Sequence, residues 1–443
     1  MGKKLLSLIG VLCIALWGCA KHTPVETEVS PTVAQTIPTI QTEATLATQE
    51  PTLETQVPTE VPVPETQPIV YVGTPGTEWT PICQEYINLW EAPHSNNVIC
   101  QIPVGSTVYL EKWQEKYAQV IYDGKLGYVH ANYIKPEKAD YFSEHLSTVA
   151  PTHLYSYNQM LQDMNTLQKA YPDLVQISSI GTSEDGRDIP VMVIGATDAT
   201  RHVLIQGAMH GREHFTAWLA MALADHALLT GQLDSVCYHI IPMSNPDGVC
   251  ISQSGQLNEA QNTIHQQDFA AGYTASGPAL YAQQWKANAL GVDLNRNFPC
   301  GWESCTERTA PSSEKYRGEQ PFSAAETVAL RDYTLSRTFD ATISLHSHGS
   351  VIYYKYGSKQ PVNNLSRSLA LAVQKATGYV PTGYDNTTGA GYKDWAMEEL
   401  GIPSLTVEVG NTATPLAQRD IYNTFARCKG MLPAIDNWLS QNK

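Results

Sequence analysis

From Tyr155 to the C-terminus, apolar runs of strand length alternate with longer stretches of helix length. This alternation restricts the fold more than any other feature of the 443-residue chain. Residues 174–180, 189–194, 203–208, 238–243, 341–346, 351–354 and 404–409 read as strands, several of them apolar almost throughout. Such runs mark strands buried on both faces of a sheet. Residues 215–229, 324–334, 362–376 and 420–441 read as helices. The expected architecture is an α/β domain over residues 150–443, with a mixed sheet covered by helices on both faces.

Acid exceeds base by 43 to 28, giving a net charge of −15. That balance excludes a nucleic-acid partner, which needs a basic face to displace counterions. No apolar run of membrane-spanning length follows the N-terminus, so contact with a membrane is expected only through an anchor. Lys3 and Lys4 precede a short apolar stretch over residues 5–17, the pattern of an export signal. It ends in Leu16-Trp17-Gly18-Cys19, which resembles the lipobox of bacterial lipoproteins despite the bulky Trp17. The resemblance implies a signal peptide over residues 1–19 and lipidation of Cys19, with plain secretion as the alternative. Either route puts the protein outside the cytoplasm, facing the cell wall. Residues 20–80 are rich in Thr, Pro and Glu and lack a periodic apolar face, so a disordered tether is expected.

Residues 81–137 are β-rich. Runs at 98–102, 107–110 and 117–122 are followed by Asp123-Gly124, a two-residue hairpin signal, and a return strand at 126–129. Leu89-Trp90-Glu91-Ala92-Pro93, Pro103-Val104-Gly105 and Gly127-Tyr128-Val129 resemble a bacterial SH3-like domain, a small β-barrel. That likeness implies binding of cell-wall peptide, the alternative being a spacer without a ligand.

The α/β region carries the chemistry. His210-Gly211-Arg212-Glu213 follows a strand, and a His and a Glu three residues apart can offer nitrogen and oxygen to one ion. His346 ends another apolar strand. Two imidazoles and a carboxylate with an open fourth position form a catalytic zinc site. Glu408 ends a further strand, where a carboxylate can take a proton from water and pass it to a leaving amine.

These residues belong to a set of five motifs. His210 to Glu213 is followed by Ser244-Asn245-Pro246-Asp247-Gly248, then Gly291-Val292-Asp293-Leu294-Asn295-Arg296-Asn297-Phe298. Leu345-His346-Ser347-His348-Gly349 and Thr406-Val407-Glu408-Val409-Gly410 complete the set. In this order they resemble zinc metallocarboxypeptidases over residues 152–440. The resemblance implies that family's α/β fold with a mixed eight-stranded sheet. It also implies one Zn2+ per catalytic domain, held by His210, Glu213 and His346, with Glu408 as general base. Asn295 and Arg296 resemble the family's clamp for a substrate carboxylate, a contact that suits a planar guanidinium.

Two positions depart from the family pattern. Lys286, in Trp285-Lys286-Ala287-Asn288, stands where many members carry an Arg that stabilises the oxyanion. His348 replaces a common Tyr. Tyr384 is the best match to the mobile tyrosine over the site, with Tyr392 as competitor. Lys393 matches the base of the leaving-side pocket and would favour a substrate side chain bearing a carboxylate. The runs around Lys286 and Lys393 resemble the γ-D-glutamyl-meso-diaminopimelate peptidase branch. The implied substrate is a peptidoglycan stem peptide, and a monomer is expected. Two alternatives remain: a general carboxypeptidase acting on ordinary C-termini, or a lipoprotein that binds wall peptides without cleaving them. Cys83–Cys100, Cys237–Cys250 and Cys300–Cys305 are possible disulfides in an exported chain, with reduced thiols as the alternative.

Overall fold

The computed structural model describes residues 78–442 except 82–84, 105, 115–116, 131–132, 137–141, 197, 232, 234–235, 384–388, 411–413 and 417–419. The export signal, Cys19, nearly all of the tether, Cys83 and Tyr384 lie outside the described residues.

The N-terminal β region forms one sheet from β1 (Glu78–Pro81), β2 (Tyr86–Trp90), β3 (Val98–Pro103), β4 (Val108–Gln114), β5 (Tyr117–Tyr122), β6 (Lys125–His130) and β7 (Ile134–Pro136). Their order is β3-β2-β6-β5-β4-β1-β7, and the pairing is antiparallel. Asp123 and Gly124 both take positive φ, at 49° and 71°, and pair Tyr122 with Lys125 in the hairpin that their sequence predicts. The sheet starts at Glu78, inside the segment expected as tether, because Trp79 is buried with Leu89, Ile102 and Val120.

The second sheet follows the expected architecture. Its strands are β8 (Val175–Thr182), β9 (Asp188–Ile194), β10 (Arg201–Gln206), β11 (Val236–Ile241), β12 (Ala341–His346), β13 (Val351–Tyr353), β14 (Val380–Thr382) and β15 (Ser404–Glu408). They run in the order β14-β13-β15-β12-β10-β11-β9-β8. The central strands β11, β10, β12 and β15 are parallel, with antiparallel pairs towards both edges.

The helices are α1 (Tyr157–Ala170), α2 (Phe215–Thr230), α3 (Pro246–Ser254), α4 (Glu259–Ala270), α5 (Pro278–Gln283), α6 (Ala325–Leu335), α7 (Gln360–Thr377), α8 (Tyr392–Glu398), α9 (Asp420–Cys428) and α10 (Met431–Gln441). Strand residues alternate between two cores. Val203, Ile205, Tyr238 and Ile343 pack with α1, α2, α7, α9 and α10. Leu204, Ile241, Ile189 and Val191 pack with α6 and α8.

One expected helix is two. The stretch 420–441 breaks at Gly430, which precedes α10. Pro433, in the first turn of α10, has no N–H to give and would crowd the carbonyl four residues earlier. The strand β14 was not expected either. It has three residues with Pro381 at its centre, and it lies at the sheet edge where proline is tolerated. Among the described residues no helix is long and apolar enough to cross a membrane.

Candidate active site

The parallel central strands deliver the candidate ligands at their C-terminal ends. After β10 the chain turns through Gly207-Ala208-Met209 to His210, and a single 3-10 turn, Gly211–Glu213, carries the second ligand. This turn packs tightly. A Cβ on Gly211 would lie 2.3 Å from the carbonyl oxygen of Gly248 at the start of α3, so only glycine fits. Asn245 ties the parts together, its Nδ2 donating to Met209 O at 3.1 Å and Ala287 O at 3.0 Å. The motif around Asn245 therefore acts as scaffold.

The expected trio converges. His210 Nδ1 lies 2.8 Å from Glu213 Oε1, and His346 Nδ1 lies 2.9 Å from Glu213 Oε2. The two Nδ1 atoms are 3.1 Å apart, and all three side chains are buried. Ligands on one tetrahedral ion with bonds of about 2.0–2.1 Å stand about 3.3 Å apart. The donor set and its spacing therefore fit zinc. Burial pushes the Glu213 carboxyl up, but His210 and His346 hold it well below the usual carboxylate range.

Behind His210 stands Asp293, to which the sequence had given no role. His210 Nε2 is 3.2 Å from Asp293 Oδ1, a charge contact without hydrogen-bond geometry. The carboxylate is itself fixed by Asn295 N at 3.1 Å and Lys315 N at 3.0 Å. Burial raises the pKa of Asp293, yet Lys286, His210 and Arg296 hold it well below the carboxylate range. A charged carboxylate on the far nitrogen of a ligating imidazole fixes its tautomer and raises its basicity.

A cleft of about 520 Å³ opens over the trio, lined also by Glu408, Lys286, Asn295, Arg296 and Lys393. Glu408 is partly buried beside His346. Burial pushes its carboxyl up, as does Glu213, while His346 and Lys286 pull it down, leaving it at about 7. Asn295 Oδ1 accepts from Tyr392 N at 3.1 Å, so the amide offers a ligand its N–H donors. Arg296 donates from Nη1 to Asn295 O at 3.0 Å, while its buried Nε has no partner. Burial opposes the guanidinium's charge, but Asp293, Glu307 and Asp394 hold it. A charged guanidinium and an amide so placed are able to bind a carboxylate.

Lys393 differs from a bare cation. It is buried, and its Nζ donates to Asp394 Oδ1 at 2.5 Å and to Lys355 O at 3.0 Å. The lining still holds more basic than acidic side chains, with Arg212 paired to Glu314 at 3.5 Å and the charged Asp293 behind Lys286 and Arg296. Five basic side chains (Arg212, Lys286, Arg296, Lys355, Lys393) face three carboxylates (Glu213, Asp394, Glu408). Tyr392 is not the covering tyrosine. It is wholly buried, its hydroxyl is 3.0 Å from Thr334 Oγ1, and its ring packs on Phe298 and Trp395. His348 lines the cleft, with Nδ1 3.0 Å from Thr414 Oγ1. Among the described residues no disulfide forms, so Cys237–Cys250 and Cys300–Cys305 stay reduced.

The sequence profile of the family described as zinc carboxypeptidase matches residues 160–434. Among curated relatives, gamma-D-glutamyl-L-diamino acid endopeptidase 1 of Lysinibacillus sphaericus is 30% identical over 302 residues, covering 63% of this chain and 72% of that protein. The uncharacterized protein YqgT of Bacillus subtilis (strain 168) is 26% identical, covering 65% of this chain and 78% of YqgT. Among solved structures, thrombin activatable fibrinolysis inhibitor shares the fold, with a TM-score of 0.54 at 18% identity, covering 73% of this chain and 90% of that one.

Proposed function

From the chain's membership of the zinc carboxypeptidase family, which makes it a zinc-dependent peptidase, we propose that it hydrolyses bacterial cell-wall stem peptides. The bond cut would join the γ-carboxyl of D-Glu to the amine of meso-diaminopimelate. The observation that carries this reading is the surplus of positive charge in the cleft. A diaminopimelate residue presents up to two carboxylates, and such a lining favours it over a neutral or basic residue. The relative from Lysinibacillus sphaericus, named for a γ-D-glutamyl bond to an L-diamino acid, supports the same substrate class.

His210, Glu213 and His346 would hold the zinc, with Asp293 orienting His210. Bound zinc supplies a Lewis acid that polarises a carbonyl and makes water a nucleophile near neutral pH. Glu408 would accept the water's proton and return it to the departing amine, a role open to a carboxylate that lines the cleft beside His346. Arg296 and Asn295 would clamp one diaminopimelate carboxylate. Lys286 would add charge near the developing oxyanion without the forked geometry of arginine. Tyr384 would close over the substrate. Export with lipidation of Cys19 would place the enzyme on the outside of the cell membrane, on a tether reaching the wall. The SH3-like domain would bind there.

One observation favours a second reading, that of a general carboxypeptidase. Asp394 neutralises Lys393 locally, so the pocket base need not select a carboxylate. The deciding experiment supplies the purified enzyme with muropeptides and, separately, with peptides ending in Phe, Lys, Arg or Glu. Release of diaminopimelate fragments, weakened in Lys393→Ala, supports the wall reading. Rapid trimming of ordinary C-termini with muropeptides untouched rules it out.

A further inference from the structure

A second set of metal-ligating side chains meets at the other end of the central strands. The parallel register places His202 opposite Cys237 and Leu204 opposite His239. Paired positions of a parallel sheet share a face, as do residues two apart on one strand. His202, Cys237 and His239 therefore all lie on the face that α6 covers. There His202 Nδ1 is 3.0 Å from His239 Nε2. One ligand atom from each of the three, including the Cys237 sulfur, falls within 4.8 Å of the others. Cys237 and His239 are buried and His202 is partly exposed.

We propose that His202, Cys237 and His239 form a second metal site, for a divalent ion of the zinc class. One thiolate and two imidazoles are a donor set that such borderline ions prefer to the all-oxygen sets of magnesium or calcium. The separation of the two ring nitrogens matches the 3.1 Å between His210 and His346 in the active site. His239 Nδ1 is 2.7 Å from the Tyr333 hydroxyl, the kind of outer partner that fixes a ligating imidazole. His202 is anchored through its backbone N–H, which donates to Asp340 Oδ2 at 2.8 Å.

One charge opposes the site. Arg337 Nη1 is 3.3 Å from His239 Nδ1. Binding converts the Cys237 thiol to thiolate as its proton leaves to solvent, and that new negative charge offsets the guanidinium. The exposed side of His202 leaves a fourth position to water. His202 stands four residues before Gln206, the last residue of β10, about 13 Å at strand rise, so the ion would clasp β10 to β11 without touching substrate.

Cobalt(II) distinguishes the two sites, because the His210–Glu213–His346 set contains no sulfur. The full chain, stripped of metal and titrated with Co2+, should bind two equivalents. One of them should bring a thiolate-to-cobalt charge-transfer absorption. Cys237→Ser should lose that absorption and one equivalent while keeping peptidase activity. His202→Asn, at the partly exposed corner, should do the same and guards against misfolding of the cysteine variant. A single equivalent in the wild type, or a charge-transfer absorption undiminished in both variants, overturns the proposal.

Discussion

His346 and Glu408 are register partners at the C-terminal ends of the parallel strands β12 and β15. The candidate zinc ligand and the candidate base are thus held side by side by backbone pairing. Replacing Glu408 with Gln preserves the strand and the size of the side chain but removes the proton acceptor. Glu408→Gln should lower kcat by on the order of 10²–10⁴-fold, the usual contribution of a general base. Zinc content should stay at one equivalent in the active site. Equal turnover by the variant and the wild type would show that another group takes the proton.

Asp293 touches no substrate in this arrangement. It acts through His210, so its loss should appear first in metal affinity. Asp293→Asn should weaken zinc binding by about 10–100-fold, measured by competition with a chromophoric chelator. Activity at saturating zinc should recover more than activity at limiting zinc. A variant with unchanged affinity would mean that the 3.2 Å approach is packing alone.

The sheet was legible because its strands are buried on both faces and show it as near-continuous apolar runs. The strand β14 was not, since three residues around Pro381 carry no such signal. The candidate zinc ligands were legible because they sit in two local motifs at strand ends, His210 with Glu213 and His346 by itself. The place of Asp293 was not, because its meaning is a contact with His210, on a different element. Tyr392 and Lys393 show the same limit. Sequence order gives a tyrosine and a lysine near the cleft. It does not say that one ring is sealed against Phe298 or that one ammonium is already paired with its neighbour Asp394.

Glu326 gives a pH signature away from the cleft. The carboxyl is fully buried, accepting from Asn288 Nδ2 at 3.0 Å and Glu184 N at 3.2 Å, and burial raises it to about 7. The folded chain therefore binds this proton more tightly than the unfolded chain does. Its contribution to stability is complete below about pH 4.5, the ordinary glutamate value, and is lost as pH rises through about 7. The loss is on the order of 3 kcal/mol. Denaturant unfolding at pH 5 and pH 8 should show a fall in stability that Glu326→Gln lacks. An identical fall in both proteins would show that Glu326 is ionised throughout.

Cys19 tests the anchor independently of the enzyme. Cells expressing the full chain and fed a lipid probe should label the wild type and not Cys19→Ser. Label retained by the variant would mean that Leu16-Trp17-Gly18-Cys19 is not read as a lipobox.

Arg296 tests the clamp. Its guanidinium is enclosed, kept charged by Asp293 and Asp394, and holds an unpartnered Nε at the cleft wall. Lysine keeps the charge but cannot make two parallel N–H contacts to one carboxylate. Arg296→Lys should therefore raise KM by about 10–100-fold, the worth of about 1.5–3 kcal/mol for a hydrogen bond to a charged group. The effect on kcat should be smaller, because the contact is made in the ground state and the transition state alike. A substrate analogue whose carboxylate is amidated offers a control: it should bind weakly to the wild type and lose little more with the variant. If amidation and Arg296→Lys instead weaken binding independently, their effects multiplying in the double comparison, the carboxylate is held elsewhere in the cleft.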